Sequence, residues 1–361
     1  MSMQLPWLLV SAALILMSLA LVYRWRALKG ISYRRYFTEQ AVFEGDTVEM
    51  VEVISNAKLL PLPWLRLESS IAAGLTFGRQ SNLNIHAGEI YQNQSSLFYL
   101  RSYRQITRRH EVICSRRGQY RLESATMTTG DPLGLNAEVK QFPLDLELLV
   151  YPRILELQEL PLPNHSWLGE LPVRRWIVED PFLTAGIREY RPGDPLGNIN
   201  WKATARTGEM QVHKRDYTAD HRLMICLNLE TSDSMWRTVI EPERIELGIR
   251  YAATVAEHAL RSGLAAGFAC NARLADGPKE SIRIEPHASS DQLTLLLETL
   301  ARMVLDKTAS MIRMLEIELE AETTDTDYLI ISCHRGEKLV ETAELLRQNG
   351  NGVEWMEIPA I

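Results

Sequence analysis

The chain has 361 residues, a formal net charge of −7, 46% apolar and 24% charged residues. That length accommodates two or three domains at roughly 100–200 residues each. The composition excludes disorder, collagen-like repeats and coiled coil as overall descriptions, and the acidic balance argues against a general nucleic-acid binder.

From Leu5 to Tyr23 no residue is charged. As a helix this run spans roughly 28 Å, about the hydrocarbon thickness of a bilayer. It reads as one membrane span rather than a cleaved signal, because no basic side chain precedes it and Arg24-Trp25-Arg26 follows directly. Trp7 at one end and Tyr23 with Trp25 at the other suit the two lipid–water interfaces. Arg24, Arg26, Lys29, Arg34 and Arg35 come next with no acid before Glu39, so the positive-inside bias places the rest of the chain in the cytoplasm. The expected anchor and its basic flank cover residues 1–30. Cys114, Cys226, Cys270 and Cys333 lie far apart without a Cys-x-x-Cys pair, and read as small buried hydrophobes in a reducing compartment.

Residues 31–151 carry short alternating segments, among them Val48 to Ile54, Trp64 to Glu68, Ser95 to Tyr103, Glu111 to Ser115 and Gln119 to Thr126. Turn signals such as Glu44-Gly45-Asp46 and Arg117-Gly118 separate them, which predicts an all-β sandwich. Seven arginines lie between Arg101 and Arg121 against one acid, Glu111. They read as outward positions of two antiparallel strands, with anionic lipid headgroups as the alternative partner. Residues 152–221 hold five prolines between Pro152 and Pro181 and no long periodic stretch, which predicts a loop-rich segment.

Residues 222–361 change period. Buried-strand runs at Arg222 to Leu229, Leu264 to Ala272, Tyr328 to Cys333 and Val353 to Ile358 alternate with helical patterns around Ile245 to Ala259, Leu293 to Val304 and Lys338 to Arg347. This predicts a doubly wound α/β domain with ligands beyond the carboxyl ends of its strands. The domain is acidic, with 14 Lys and Arg against 23 Asp and Glu, a net of −9 that leaves +2 for residues 1–221.

After its first strand comes Glu230-x-Ser232-x-Ser234. A carboxylate followed by hydroxyls at the second and fourth positions can wrap magnesium or another divalent cation in oxygen ligands. The spacing resembles the metal-ion-dependent adhesion site of von Willebrand factor A domains, with Glu in place of Asp and no clear counterpart to the later ligands. The other reading is a polar strand-to-helix loop whose serines serve backbone N–H groups. Searches for a nucleotide-binding loop, a zinc-protease helix and a nucleophile elbow return nothing, so no catalytic residue or cofactor is expected.

The most distinctive stretch is Arg188-Glu189-Tyr190-Arg191-Pro192-Gly193-Asp194-Pro195, continuing to Trp201-Lys202-Ala203-Thr204-Ala205-Arg206. Pro-Gly-Asp-Pro fixes a tight turn, Trp201 is a large apolar anchor, and Lys202 and Arg206 share one face if helical. With Arg188 and Arg191 they suit a phosphate or a partner's carboxylates, unless they pair internally with Glu189, Asp194, Glu209 and Asp216. This string closely resembles the signature of the DUF58 proteins, except that Gly197 stands where a basic residue is expected. The resemblance implies a protein of the bacterial cytoplasmic membrane, with an N-terminal anchor, a β-rich domain, the signature and a C-terminal A-like domain. It also implies a non-enzymatic adaptor or scaffold beside a MoxR-type AAA+ ATPase. The rival is a metal-dependent ligand-binding or hydrolytic site at Glu230, Ser232 and Ser234. A third reading, an extracytoplasmic adhesion protein, requires the opposite topology.

Overall fold

The computed structural model describes residues 4–78, 84–87, 91–134, 136–161, 179–189, 199–217, 222–232, 235 and 239–360. The chain divides into two compact units, Met1–Arg153 with Leu297–Arg302 and Ile154–Leu296 with Met303–Ile361.

The first unit opens with helix α1 (Gln4–Arg26), long and apolar enough over Trp7–Arg26 to cross a membrane. Ten strands follow: β1 (Ile31–Phe37), β2 (Ala41–Phe43), β3 (Thr47–Asn56), β4 (Leu62–Ala72), β5 (Leu75–Phe77), β6 (Asn84–Ala87), β7 (Tyr91–Leu100), β8 (Gln105–Cys114), β9 (Gly118–Gly130) and β10 (Ala137–Tyr151). They form a four-stranded sheet, β1-β3-β8-β5, and a six-stranded sheet, β2-β10-β9-β4-β7-β6. The period of two sets the layers: Leu65, Leu67, Ser69 and Ile71 of β4 are buried while Arg66, Glu68 and Ser70 between them are not. Buried side chains of both sheets meet in shared clusters, for example Val48, Met50 and Val112 with Ile71, Leu122 and Leu148. Of the clustered arginines, Arg109 and Arg121 are exposed on strands, whereas Arg101, Arg104 and Arg116 are exposed in the turns between strands rather than on them.

A buried charge interrupts this apolar interior. Glu52 of β3 is fully buried and pairs with Arg35 of β1, itself buried. It also accepts from Tyr33 Oη at 2.9 Å and meets His110 Nε2 at 3.0 Å. Arg35, counted from the sequence with the cations flanking the span, is therefore committed to the interior. Burial pushes the Glu52 carboxyl upward, but the hydrogen bond from His110 and the charge of Arg35 outweigh it and hold the group down at about 2.

In the second unit, residues expected to be loop instead carry regular structure. Strands β11 (Glu179–Glu189) and β12 (Gln211–Tyr217) pair antiparallel, and the seven-residue helix α2 (Trp201–Thr207) lies between them in sequence. The helix escapes period analysis because it is two turns long and buries no side chain. The main sheet is built from β13 (Arg222–Asn228), β14 (Ala265–Cys270), β16 (Ile282–His287), β18 (Thr326–Ser332) and β19 (Gly352–Glu357), in the order β16-β14-β13-β18-β19. All neighbours are parallel except the edge strand β16.

Helix α3 (Pro242–Arg261) packs closely on one sheet face, where a Cβ on Gly248 would lie 2.5 Å from Ile358 Cδ1 and 3.0 Å from Leu227 Cδ1. Helices α5 (Met311–Glu320) and α6 (Glu337–Gln348) cover the other face through Met311, Leu315, Leu339 and Ala343 against Met224, Cys226 and Ile330. Helix α4 (Gln292–Arg302) stops one residue before Met303, and β17 (Met303–Lys307) then pairs with β15 (Ala272–Leu274), where the sequence pattern predicted continued helix. All four cysteines are buried and unbridged; burial pushes the Cys114 and Cys333 thiols up to about 11.

Glu52 is more acidic folded than its ordinary 4.5, so its stabilising contribution, roughly 3 kcal/mol, is present above that value and is lost as pH falls from 4.5 toward 2. Denaturant titrations of the detergent-solubilised chain should show this acid-side loss. Glu52→Gln should flatten it and cost about 3–5 kcal/mol at neutral pH by stranding the buried Arg35.

Candidate functional site

The carboxyl ends of β14, β13 and β18 are tied together by a chain of buried amides and a hydroxyl. Asn271 Nδ2 donates to Asn228 Oδ1 at 3.0 Å, and Asn228 Nδ2 donates to Ser332 Oγ at 3.1 Å. The same oxygens receive the backbone as it leaves the sheet, from Leu229 N to Asn271 Oδ1 at 2.9 Å and from Glu230 N to Asn228 Oδ1 at 3.0 Å. Buried amides with both ends used hold the outgoing loop in one geometry. Arg244, in the first turn of α3, ties this end down further by donating to the carbonyls of Cys333 and Ile358 at 3.2 and 2.6 Å.

Glu230 stands directly above this floor. Lys307 Nζ, at the end of β17, donates to Glu230 Oε1 at 2.6 Å and to the Met235 carbonyl at 2.8 Å. The Met311 N–H donates to Glu230 Oε2 at 3.4 Å. Both side chains are largely buried, so neither charge is well solvated and each depends on the other. Ser232 is half-buried, and its carbonyl accepts from Met235 N at 3.2 Å. Ser234 lies outside the described residues. Among the described residues no group of three or more His, Cys, Asp or Glu side chains is placed to hold a metal ion. Chemically, the ammonium of Lys307 supplies at the first carboxylate the positive charge that a divalent cation would otherwise bring.

The signature residues divide. Tyr190, Arg191, Gly193 and Asp194 lie outside the described residues; Arg188 and Glu189 end β11, in register with Val212 and Gln211, and nothing is described of their side chains. Trp201, Lys202 and Arg206 all lie on α2. Asn200 caps its start, accepting from Ala203 N at 2.9 Å, and Gly208, at φ +78°, closes its end with N–H to the Thr204 carbonyl at 2.9 Å. Thr204 Oγ1 accepts from Gln211 N at 3.0 Å, fixing the helix to β12. On this small fixed platform Trp201 is 68% exposed, and Lys202 and Arg206, one turn apart on the same helix, are exposed as well.

Of the anchor residues, Trp7 and Trp25 are exposed along α1. Tyr23 differs from the expected position in an open lipid interface: it is buried against the β strands, with its hydroxyl donating to the Pro61 carbonyl at 3.0 Å. Lys307 was not singled out from the sequence, since it lies 77 residues from Glu230. Asn228 and Asn271 carried a weak signal, as amides closing the two most apolar strands.

Residues 186–322 match the model of the family described as "Protein of unknown function DUF58". A relative, the "Uncharacterized protein YeaD" of Bacillus subtilis (strain 168), is 22% identical over 245 residues, 67% of this chain and 56% of that protein, so the chain spans about half the length of the curated relative it matches. Similar solved structures include a non-cellulosomal cohesin from Archaeoglobus fulgidus, 12% identical over 36% of this chain and 94% of that one, with a TM-score of 0.23. The major pilin SpaD of Corynebacterium diphtheriae is 10% identical over 31% of this chain and 33% of that one, at 0.25. At these TM-scores the likenesses carry no argument.

Lys307→Met should strand the Glu230 carboxylate and lower stability by about 2–3 kcal/mol. Glu230→Gln together with Lys307→Met should recover at least half of that loss, a coupling that a double-mutant cycle in denaturant measures directly and that simple additivity would contradict.

Proposed function

We propose that this chain, whose residues 186–322 match the model of the DUF58 family, is a membrane-anchored, cytoplasm-facing adaptor that binds another protein rather than transforming a substrate. The observation that carries this reading is the α2 platform. A solvent-exposed tryptophan on the same short helix as two exposed cations is the composition of an interface hot spot, where an aromatic anchor supplies most of the affinity and charges set orientation.

The partner suited to it presents an apolar pocket with carboxylates at its rim. The family resemblance nominates a MoxR-type AAA+ ATPase. Orientation toward the cytoplasm is supported by the exposed Arg24, Arg26, Lys29 and Arg34 after the span. We read the second unit as an A-like domain in which Lys307 has replaced the metal, and this favours recognition by surface complementarity over metal-bridged binding at Glu230, Ser232 and Ser234.

Affinity for a purified MoxR-type AAA+ ATPase, measured with the full chain in detergent micelles, should fall roughly 30-fold in Trp201→Ala. Lys202→Glu with Arg206→Glu should weaken binding and reduce its salt dependence. Undiminished affinity in both variants would remove α2 from the interface and contradict the reading.

A further inference from the structure

Helix α1 does not end in a free linker. Its last turn is packed into the β strands, with Tyr23, Ala27 and Leu28 in the same buried cluster as Leu62, Leu65, Leu100 and Met127. Lys58 Nζ caps its carboxyl end, donating to the carbonyls of Arg26 at 2.7 Å, Lys29 at 2.8 Å and also Ala27. Leu28 N donates to Glu138 Oε2 at 3.0 Å. The end of the span and the β unit therefore form one body. Whatever surface surrounds that exit is held at a constant height and tilt relative to the helix.

Three loops are linked to it by hydrogen bonds, directly or through a neighbouring residue. Residues 57–61 carry Lys58 and Pro61, both bonded to α1. Residues 101–104 are joined to them by Tyr103 N donating to the Lys58 carbonyl at 3.2 Å and Ser102 Oγ donating to that of Leu59. The turn at 131–134 is held by Trp64 Nε1 on the Asp131 carbonyl at 3.1 Å, and Glu138 follows it at the start of β10. Each loop exposes one large apolar side chain: Leu59 at 74%, Tyr103 at 67% and Leu133 at 54%. Tyr103 does so at φ +50°, a region aromatic residues seldom occupy.

The exposed charged side chains on these loops and just after α1 are basic. Asp131 is occupied by its own turn, accepting from Leu133 N at 2.9 Å and Asn136 N at 2.7 Å, and Glu138 is occupied by Leu28 N. Lys29, Arg101 and Arg104 are exposed. Apolar tips with basic flanks, arranged around the point where a span leaves the bilayer, have the composition of an interfacial membrane contact.

We propose that this end of the β unit docks on the bilayer, with Leu59, Tyr103 and Leu133 entering the interfacial layer around α1 and with Lys29, Arg101 and Arg104 contacting the phosphates of anionic lipids. The inference rests on α1 spanning the membrane, as proposed above. The tether makes the contact intramolecular, so individually weak lipid contacts suffice. Its consequence is a fixed standing orientation of the β unit on the membrane.

The test uses the full chain reconstituted in vesicles of phosphatidylcholine with phosphatidylglycerol, with single environment-sensitive labels on Leu14→Cys, Leu59→Cys, Leu133→Cys and Glu39→Cys. The native cysteines are all buried and compete little for label. Leu14 lies within α1, and Glu39 lies past the far end of β1, roughly 20 Å along the strand. Quenching by spin-labelled lipid should be strong at Leu14, clear at Leu59 and Leu133, and absent at Glu39. Arg101→Glu with Arg104→Glu, or vesicles of phosphatidylcholine alone, should reduce the Leu59 signal roughly twofold. Quenching at Leu14 with Leu59 and Leu133 no different from Glu39 would overturn the docking while leaving the span intact, and would point to a protein partner for the three tips. No quenching at Leu14 would overturn the span, and the docking with it. Equal Leu59 quenching in both vesicle types would overturn the role given to anionic headgroups.

Discussion

A carboxylate placed where a parallel sheet releases its chain must be neutralised or solvated, and here the neutralising charge comes from within the chain. Lys307 meets Glu230 at 2.6 Å and also holds the Met235 carbonyl, so one ammonium fixes both the first carboxylate and the loop beyond it. Removing either partner would leave the other poorly solvated. The pairing depends on β17 returning beside β15, and on the Asn271–Asn228–Ser332 chain that sets where the loop begins. The carboxylate at the sheet end is thereby matched by a cation from within the same unit.

The first unit applies the same physics in a drier setting. Glu52 sits between two sheets with Arg35, Tyr33 and His110 around it, a group of polar side chains that would be costly to separate once buried. Such a cluster adds little net stability over an apolar replacement, but it penalises any slip of β1 or β3 that would part the charges. Register in those strands matters because β1 follows closely on the apolar helix α1. Through Tyr23, Leu28 and Lys58 the position of the β unit on α1 is set by packing and hydrogen bonds rather than by a linker.

How much of this could be read from residues alone depended on whether the controlling contact was local. The apolar helix was legible because hydrophobicity over twenty residues is a local sum. The strands around Val48, Leu65 and Leu122 were legible because alternation is a local period. Strand β1 was not, since Arg35 occupies an inward position and breaks the alternation that its buried partner Glu52 makes tolerable. Helix α5 was hidden in the same way. Its stripe of Met311, Met314 and Leu315 continues through Glu318, buried because Arg283 and Tyr328 bond to it. At the candidate site, Glu230 and the serine spacing were visible in the sequence, whereas Lys307 was not, because a pairing across 77 residues leaves no periodic trace.

The central claim is that Glu230 is committed to its ion pair with Lys307, and calorimetric titration of Mg²⁺, Mn²⁺ and Ca²⁺ into the detergent-solubilised chain tests it most directly. The account predicts no saturable heat for any of the three ions in the native chain. Saturable binding that Glu230→Ala abolishes would contradict it, and would make metal-mediated ligand recognition the leading description of the strand end.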